Sequence, residues 1–164
     1  MSTPPPPQMQ HIMKGQLPVH PGASIFLVQH ASRPDMMRAM VTGPCDTPYS
    51  GGAFVFDLYF PADYPNIPPL VHFATTGYGV RFNPNLYPDG KVCLSLLGTW
   101  HGGAQSEKWN PAESTLYQVL VSIQGMIFVE QPFFNEPGYD GIRGSPEGHA
   151  KRCESCVCLL SGHL

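Results

Sequence analysis

The chain has 164 residues, enough for one compact domain that buries an apolar core without disulfides or metal. Nine Lys and Arg stand against twelve Asp and Glu, so neither nucleic acid nor a membrane surface is expected as a partner. No apolar run approaches the roughly 20 residues of a membrane span, and the N-terminus lacks a signal stretch. Five cysteines without framework spacing favour a reducing compartment, so a cytoplasmic or nuclear location is expected.

The first part of the chain is predicted to form an antiparallel sheet. Residues 1–22 are rich in proline and have neither strand nor helix periodicity, which predicts a flexible leader. Four short apolar runs follow between Pro, Gly, Asp and Asn clusters, at residues 24–28, 36–41, 53–59 and 70–73. Because the runs are closely spaced, they predict a four-stranded meander. In the third run Phe54, Phe56 and Leu58 alternate with other side chains, as in a strand with one face on a core.

A helix is predicted to cover that face of the sheet. Apolar residues recur at steps of three and four over residues 114–129, with Ser114 or Glu113 near the start of the helix. Strands followed by a covering helix predict an α+β fold. We place the core domain at residues 23–140 and an irregular tail with three cysteines at residues 141–164.

A long loop at residues 78–109 separates the last predicted strand from the helix. It is too irregular for either periodicity but contains apolar residues, which predicts an ordered and functional loop. Cys93 lies in this loop between Val92 and Leu94, and such a cysteine on its own is most often a buried apolar residue. A thiolate is also suited to carrying an acyl group, because it attacks a thioester readily and then leaves easily.

A set of motifs in and around this loop resembles the ubiquitin-conjugating (E2) family. The motifs are PYSGG at 48–52, FPADYPNIPP at 60–69, RFNPNLY at 81–87, DGKVCLS at 89–95 and EKWNP at 107–111. The family's His-Pro-Asn tripeptide has its Asn eight residues before the cysteine, and Asn85 lies eight residues before Cys93. The resemblance covers about residues 24–140 and is strongest to the giant E2 subgroup. It implies a UBC-like fold, in which the family's first and last helices are missing from this chain.

This resemblance implies a ubiquitin-conjugating acyltransferase, with catalytic residues Cys93, Asn85 and Glu136. Such an enzyme accepts ubiquitin from an E1 activating enzyme as a cysteine thioester on Cys93 and transfers it to a lysine amine. Asn85 matches the amide that stabilises the oxyanion, or it only holds the loop. Glu136 matches the acidic group that orients or desolvates the lysine, although Asn135 is an alternative polar group for that position. An impaired or truncated E2-like binding module stays open as a second function.

The resemblance also implies partners. These are ubiquitin, an E1 activating enzyme, protein substrates and an E3 ligase that would bind through Pro111 and Ala112. Asn66 stands in the paired loop where many members have an aromatic residue. Trp109 is interpreted as a core or loop anchor rather than a binding hot spot, because a large ring beside proline packs well against its neighbours. Asn83 replaces the family's histidine, and we expect it to hold the loop by hydrogen bonds.

No cofactor and no metal site are predicted. Cys153, Cys156 and Cys158 are soft ligands, with His149 and His163 as the nearest additional candidates. A structural zinc site usually has four ligands in paired spacing, which this segment does not offer.

Overall fold

The computed structural model describes residues 17–76, 81–100, 105–136 and 138–148. Most of the predicted leader, residues 1–16, and most of the predicted tail, residues 149–164, lie outside the described residues. The expectation that the first and last family helices are missing concerns these same ends. The division of the chain into leader, core and tail therefore stays a prediction.

Five antiparallel strands form one sheet in chain order. They are β1 (Val19–His20), β2 (Ala23–Gln29), β3 (Met36–Thr42), β4 (Ala53–Tyr59) and β5 (Leu70–Phe73). Strands β2 to β5 are the predicted meander, which the structure confirms. Strand β1 was not predicted. It has two residues and turns back directly onto β2, where Val19 pairs with Ser24, and a strand that short carries no period.

The core lies against one face of this sheet. Phe54, Phe56 and Leu58 of β4 point to that face and are at most 6% exposed, as their alternation predicts. The ring of Phe128, from beyond the helix, lies 4.5 Å from the ring of Phe54 and 4.8 Å from that of Tyr49. Aromatic side chains bury large apolar areas, so this cluster contributes much of the packing between sheet and helix.

The covering helix has two parts. Helix α1 (Leu116–Ser122) continues without a break into a π-helical turn, Ile123–Ile127. Ile123 and Ile127 are fully buried, whereas Met126 is 56% exposed at the end of the turn. Four short 3-10 helices lie at Ser95–Leu97, Gln105–Glu107, Pro132–Asn135 and Asp140–Ile142, and residues 146–148 are also helical. In the described part of the chain, no helix has the length and apolar character that a membrane crossing requires.

Helix α1 begins close to the predicted position. Ser114 and Glu113 lie just before its first turn, and Thr115 is the N-cap. The Thr115 hydroxyl accepts a hydrogen bond from the Gln118 backbone N–H, and the Gln118 side chain accepts one from the Thr115 N–H. This reciprocal capping box satisfies two N–H groups that would otherwise have no helical partner.

Thr115→Ala removes the capping hydroxyl and should lower the free energy of unfolding by about 1 kcal/mol. Thr115→Ser keeps the hydroxyl and serves as the matched control. Urea denaturation of the two variants and the parent chain measures the difference. An equal loss in both variants would mean that the threonine methyl, not the cap, stabilises the helix.

Candidate functional site

Cys93 lies two residues before the 3-10 helix Ser95–Leu97, whose N-cap is Leu94. The residue is 4% exposed, and its neighbours Val92 and Leu94 belong to the apolar core. Cys93 itself lines a surface cavity of about 150 Å³. A reacting thiol must be reachable from outside the core, and the place of Cys93 on the wall of a cavity meets this requirement.

Asn85 and Cys93 are joined by two hydrogen bonds. The Cys93 N–H donates to the Asn85 carbonyl at 2.8 Å, and Asn85 Nδ2 donates to the Cys93 carbonyl at 3.0 Å. The loop-holding contact predicted for Asn85 is therefore present, and the residue lines the same cavity as the cysteine. An amide nitrogen carries two donors, so one N–H remains for another acceptor. Asn85 Oδ1 is buried and has no partner among the described residues.

Asn83 holds the segment that carries Asn85. Its Nδ2 donates to the Tyr49 hydroxyl and to the Ile127 carbonyl, each at 2.7 Å. Its Oδ1 accepts from the Asn85 N–H at 2.7 Å, and the Tyr49 hydroxyl donates onward to the Phe82 carbonyl at 2.9 Å. The residue is only 2% exposed. The loop-holding role expected of Asn83 is confirmed by these contacts.

Thr99 fixes the other side of the cysteine, and the sequence reading missed it. Its hydroxyl donates to the Val92 carbonyl at 2.7 Å and accepts from the Leu94 N–H at 3.0 Å. These two groups flank Cys93, so the hydroxyl restrains the chain before and after the thiol. Gly98, with φ of 68°, turns the chain back to bring Thr99 into place. A glycine that follows a short apolar run is a weak signal of such a turn.

A tight turn at residues 89–91, just before the cysteine, packs against strand β5. Gly90 has φ of 86°, and a Cβ at this position would overlap the ring of His72. The Gly90 carbonyl accepts a hydrogen bond from the Phe73 N–H at 2.8 Å, which ties the turn to the sheet. Asp89 Oδ1 accepts from the Lys91 N–H at 3.0 Å. The turn therefore requires glycine for both its conformation and its close approach to the sheet.

Glu136 is held by an arginine. Arg81 Nη2 lies 3.3 Å from Glu136 Oε2 and also donates to the Pro84 carbonyl at 2.6 Å. The guanidinium of Arg81 lies 4.5 Å from the centre of the Tyr87 ring, which it covers. The structure thus places the Glu136 carboxylate in an ion pair next to the Asn83 segment, and its predicted role toward a lysine stays a prediction.

Asn135, the alternative to Glu136, lines the cavity. Its Nδ2 donates to the Met126 carbonyl at 2.9 Å. Trp100, Met126 and Ser95 line the same cavity. The amides of Asn85 and Asn135 are therefore both brought to the wall that carries the cysteine.

Trp109 anchors two loops, as predicted. Its Nε1 donates to the Pro65 carbonyl at 2.7 Å, and its ring lies 5.7 Å from the ring of Tyr64. Tyr64 is buried, and this burial raises the pKa of its phenol. Trp109 therefore connects two loops, one that carries Asn66 and one that carries residues 111–112. Asn66 and residues 111–112 are exposed.

Among the other cysteines, the structure describes Cys45. Cys45 is exposed in the connection after β3. Cys153, Cys156 and Cys158 lie outside the described residues. Within the described ranges, no group of three or more His, Cys, Asp or Glu side chains could hold a metal ion.

The antiparallel sheet, the covering helix and a loop cysteine bonded to an asparagine eight residues earlier together define an α+β domain of the E2 type. The family described as "Ubiquitin-conjugating enzyme" matches residues 9–144, and the chain belongs to that family. The UBC-like fold expected from the motifs is confirmed.

Relatives and solved structures support this assignment. The human protein "Dual E2 ubiquitin-conjugating enzyme/E3 ubiquitin-protein ligase BIRC6" is 57% identical over 133 residues, which are 80% of this chain and 3% of that protein. "Probable ubiquitin-conjugating enzyme protein 17" of Caenorhabditis elegans is 54% identical over 133 residues, 80% of this chain and 18% of that protein. The structure of human ubiquitin-conjugating enzyme E2 G1 matches with a TM-score of 0.53 and 32% identity, over 73% of this chain and 87% of that one. The chain thus spans less than a fifth of either of these two curated relatives, and the placement near the giant E2 subgroup is confirmed.

Asn83→Ala should lower the free energy of unfolding by at least about 2 kcal/mol. The change leaves the Ile127 carbonyl and the Asn85 N–H without partners in buried surroundings, and each such group costs about 1–3 kcal/mol. Tyr49→Phe removes one hydroxyl from the same network and should cost less. Urea denaturation compares the two variants. If Asn83→Ala is as stable as Tyr49→Phe, the amide does not hold the loop.

Proposed function

We propose that this chain is a ubiquitin-conjugating enzyme that accepts ubiquitin from an activating enzyme as a thioester on Cys93 and transfers it to a lysine amine. The observation that carries this proposal is the position of Cys93 on a cavity wall, in a loop that is bonded on both sides. Membership of the family points to the same activity, because the relatives are named as ubiquitin-conjugating enzymes.

The size of the cavity favours an acyl carrier over an enzyme for small molecules. Pockets that enclose small ligands measure about 300–1,000 Å³. The cavity at Cys93 measures about 150 Å³, a volume that can hold one ring of the size of benzene. An extended chain end bound to the thiol and a single lysine side chain suit this space better than an enclosed metabolite.

The chemistry requires two acyl transfers at the same sulfur. In loading, the Cys93 thiolate attacks the activating enzyme's thioester, so one C–S bond forms while another breaks. In discharge, an uncharged lysine amine attacks the new thioester. A C–N bond forms, the C–S bond breaks, the thiolate leaves, and the amine proton passes to water. The carbonyl oxygen gains negative charge during the attack, and the second N–H of Asn85 is the donor we assign to it.

The two exposed loops that Trp109 joins offer a surface for a ligase partner. Residues 111–112 and Asn66 are exposed on the two loops that Trp109 joins, and Ile67 beside Asn66 is 42% exposed. An E3 ligase would bind across both loops, through Pro111 and Ala112. The relative named as a dual enzyme and ligase fits a function in this pathway.

Cys93→Ala should abolish a reductant-sensitive adduct when the protein is incubated with activating enzyme, ATP and ubiquitin. Cys93→Ser should instead give an adduct that resists thiols and yields to hydroxide, because an alkoxide is a poorer leaving group than a thiolate. Gels run with and without reductant measure both results. Cys45→Ala is the matched control, and an adduct that disappears in this control but persists in Cys93→Ala would show that the wrong cysteine was assigned.

Asn85→Ala should slow discharge to lysine far more than loading. Loss of one donor to an oxyanion costs about 2.7–4 kcal/mol, on the order of 10²–10³ in rate. Single-turnover discharge of charged protein gives the rate, and the time course of charging gives the comparison. Equal slowing of both steps would point to a collapsed loop, since Asn85 also bonds the Cys93 carbonyl.

A further inference from the structure

We propose that Trp100 binds the C-terminal peptide of the ubiquitin donor and restricts the last residues of that peptide to glycine. In this proposal the indole ring lies against the peptide backbone next to the thioester on Cys93, and the indole N–H donates to a carbonyl of the tail. The inference rests on the proposed function and deepens it, because it names the residue that selects the acyl group.

The loop after Cys93 brings Trp100 back to the thiol. Residues 94–98 make one short helical turn, which ends at a glycine in the left-handed conformation. The hydroxyl of Thr99 then bonds the backbone before and after the cysteine. Trp100 is the next residue along the chain, and it lines the cavity together with Cys93. The tryptophan is therefore held beside the thiol by a bonded residue directly before it.

The two tryptophans of the chain differ in how their indole N–H groups are used. Trp109 Nε1 donates to the Pro65 carbonyl, whereas the described residues offer Trp100 Nε1 no hydrogen-bond partner. An indole nitrogen can only donate, so a ligand for Trp100 must bring an acceptor. A peptide tail supplies a carbonyl oxygen at every residue. An incoming lysine offers only its amine lone pair, which the reaction itself uses.

The cavity leaves little space for side chains on the tail. Its volume is about 150 Å³, and Leu94 and Met126 line it along with Trp100. Acylation of Cys93 places the end of the tail in this space. A glycine backbone can approach a flat ring closely because it has no Cβ, whereas a larger residue would have to displace the ring. The site therefore fits an acyl peptide that ends in residues without side chains, as ubiquitin does.

The test charges Cys93 with two donors, ubiquitin with its natural C-terminal glycine and ubiquitin with alanine at that position. Each donor is supplied as the thioester of a small thiol, so the Cys93 thiolate attacks and the small thiol leaves without an activating enzyme. The parent chain should charge about 10- to 200-fold faster with the glycine donor, the range for one methylene in a close-fitting pocket. Trp100→Ala should lower this preference about 5- to 10-fold, because the added methyl group then has space.

Trp100→Phe keeps a flat ring and removes the N–H. This variant should keep the preference for glycine but charge about 3- to 10-fold more slowly than the parent chain, the scale of one lost hydrogen bond. Tyr59→Ala is the matched control, because it removes an exposed aromatic ring from the face of strand β4 that points away from the core. It should change neither the charging rate nor the preference.

Alkylation by iodoacetamide checks that the thiol of each variant still reacts. Two results would overturn the inference: Trp100→Ala with the parent's preference for glycine, or Trp100→Phe with the parent's charging rate. If Trp100→Ala no longer reacts with iodoacetamide, the result for Trp100→Phe decides alone. Failure of the parent chain to charge Cys93 from activating enzyme, ATP and ubiquitin overturns the proposed function itself, whereas normal charging with either of the two results overturns this inference alone.

Discussion

The buried amide of Asn83 is the contact on which the rest of the site depends. It bonds a hydroxyl from the loop before β4, a carbonyl from the end of the helix and the N–H of Asn85. These groups come from three parts of the chain, and all of them lie away from water. A polar group left unpaired in such surroundings is costly, so the three parts can assemble in few other ways.

This network also explains how asparagine can stand where most of the family has histidine. A neutral imidazole has one donor and one acceptor, whereas an amide has two donors and an acceptor oxygen. Asn83 uses both donors, on the Tyr49 hydroxyl and the Ile127 carbonyl, as well as its oxygen. A neutral histidine could not make all three bonds. The asparagine also does not titrate near neutral pH, so this part of the site carries the same charge over that range.

The elements of the fold that could be predicted are those in which apolar residues recur at a regular spacing in the sequence. Strand β4 has one buried face, so Phe54, Phe56 and Leu58 had to alternate, and the helix had to place Leu116, Val119 and Leu120 on one side. Strand β1 and the exact N-cap could not be read in this way. A strand of two residues has no period, and Ser114, Thr115 and Glu113 are similar candidates for a cap until the Gln118 contact is known.

The residues of the site also fall into those that the sequence could indicate and those that it could not. Cys93 and Asn85 were singled out because the family motifs place the asparagine eight positions before the cysteine, and the structure joins the two residues by hydrogen bonds. Thr99 was missed, because a hydroxyl that bonds two backbone groups across a turn leaves no pattern in the sequence. The choice between Asn135 and Glu136 was also open. The two residues are adjacent at the end of a short helix, and only the packing of the fold decides which side chain faces the cavity. Arg81, 55 residues from Glu136, is a partner that no local pattern reveals.

The π-helical turn couples the helix to the site more closely than packing alone. The carbonyls of Met126 and Ile127, at the end of this turn, accept hydrogen bonds from the side-chain amides of Asn135 and Asn83, respectively. The last carbonyls of any helix lack partners within it, and here two residues of the site supply them. Two residues of the site thus cap the C-terminal end of the helix, and we expect fraying of the last turn and opening of the cysteine loop to be coupled.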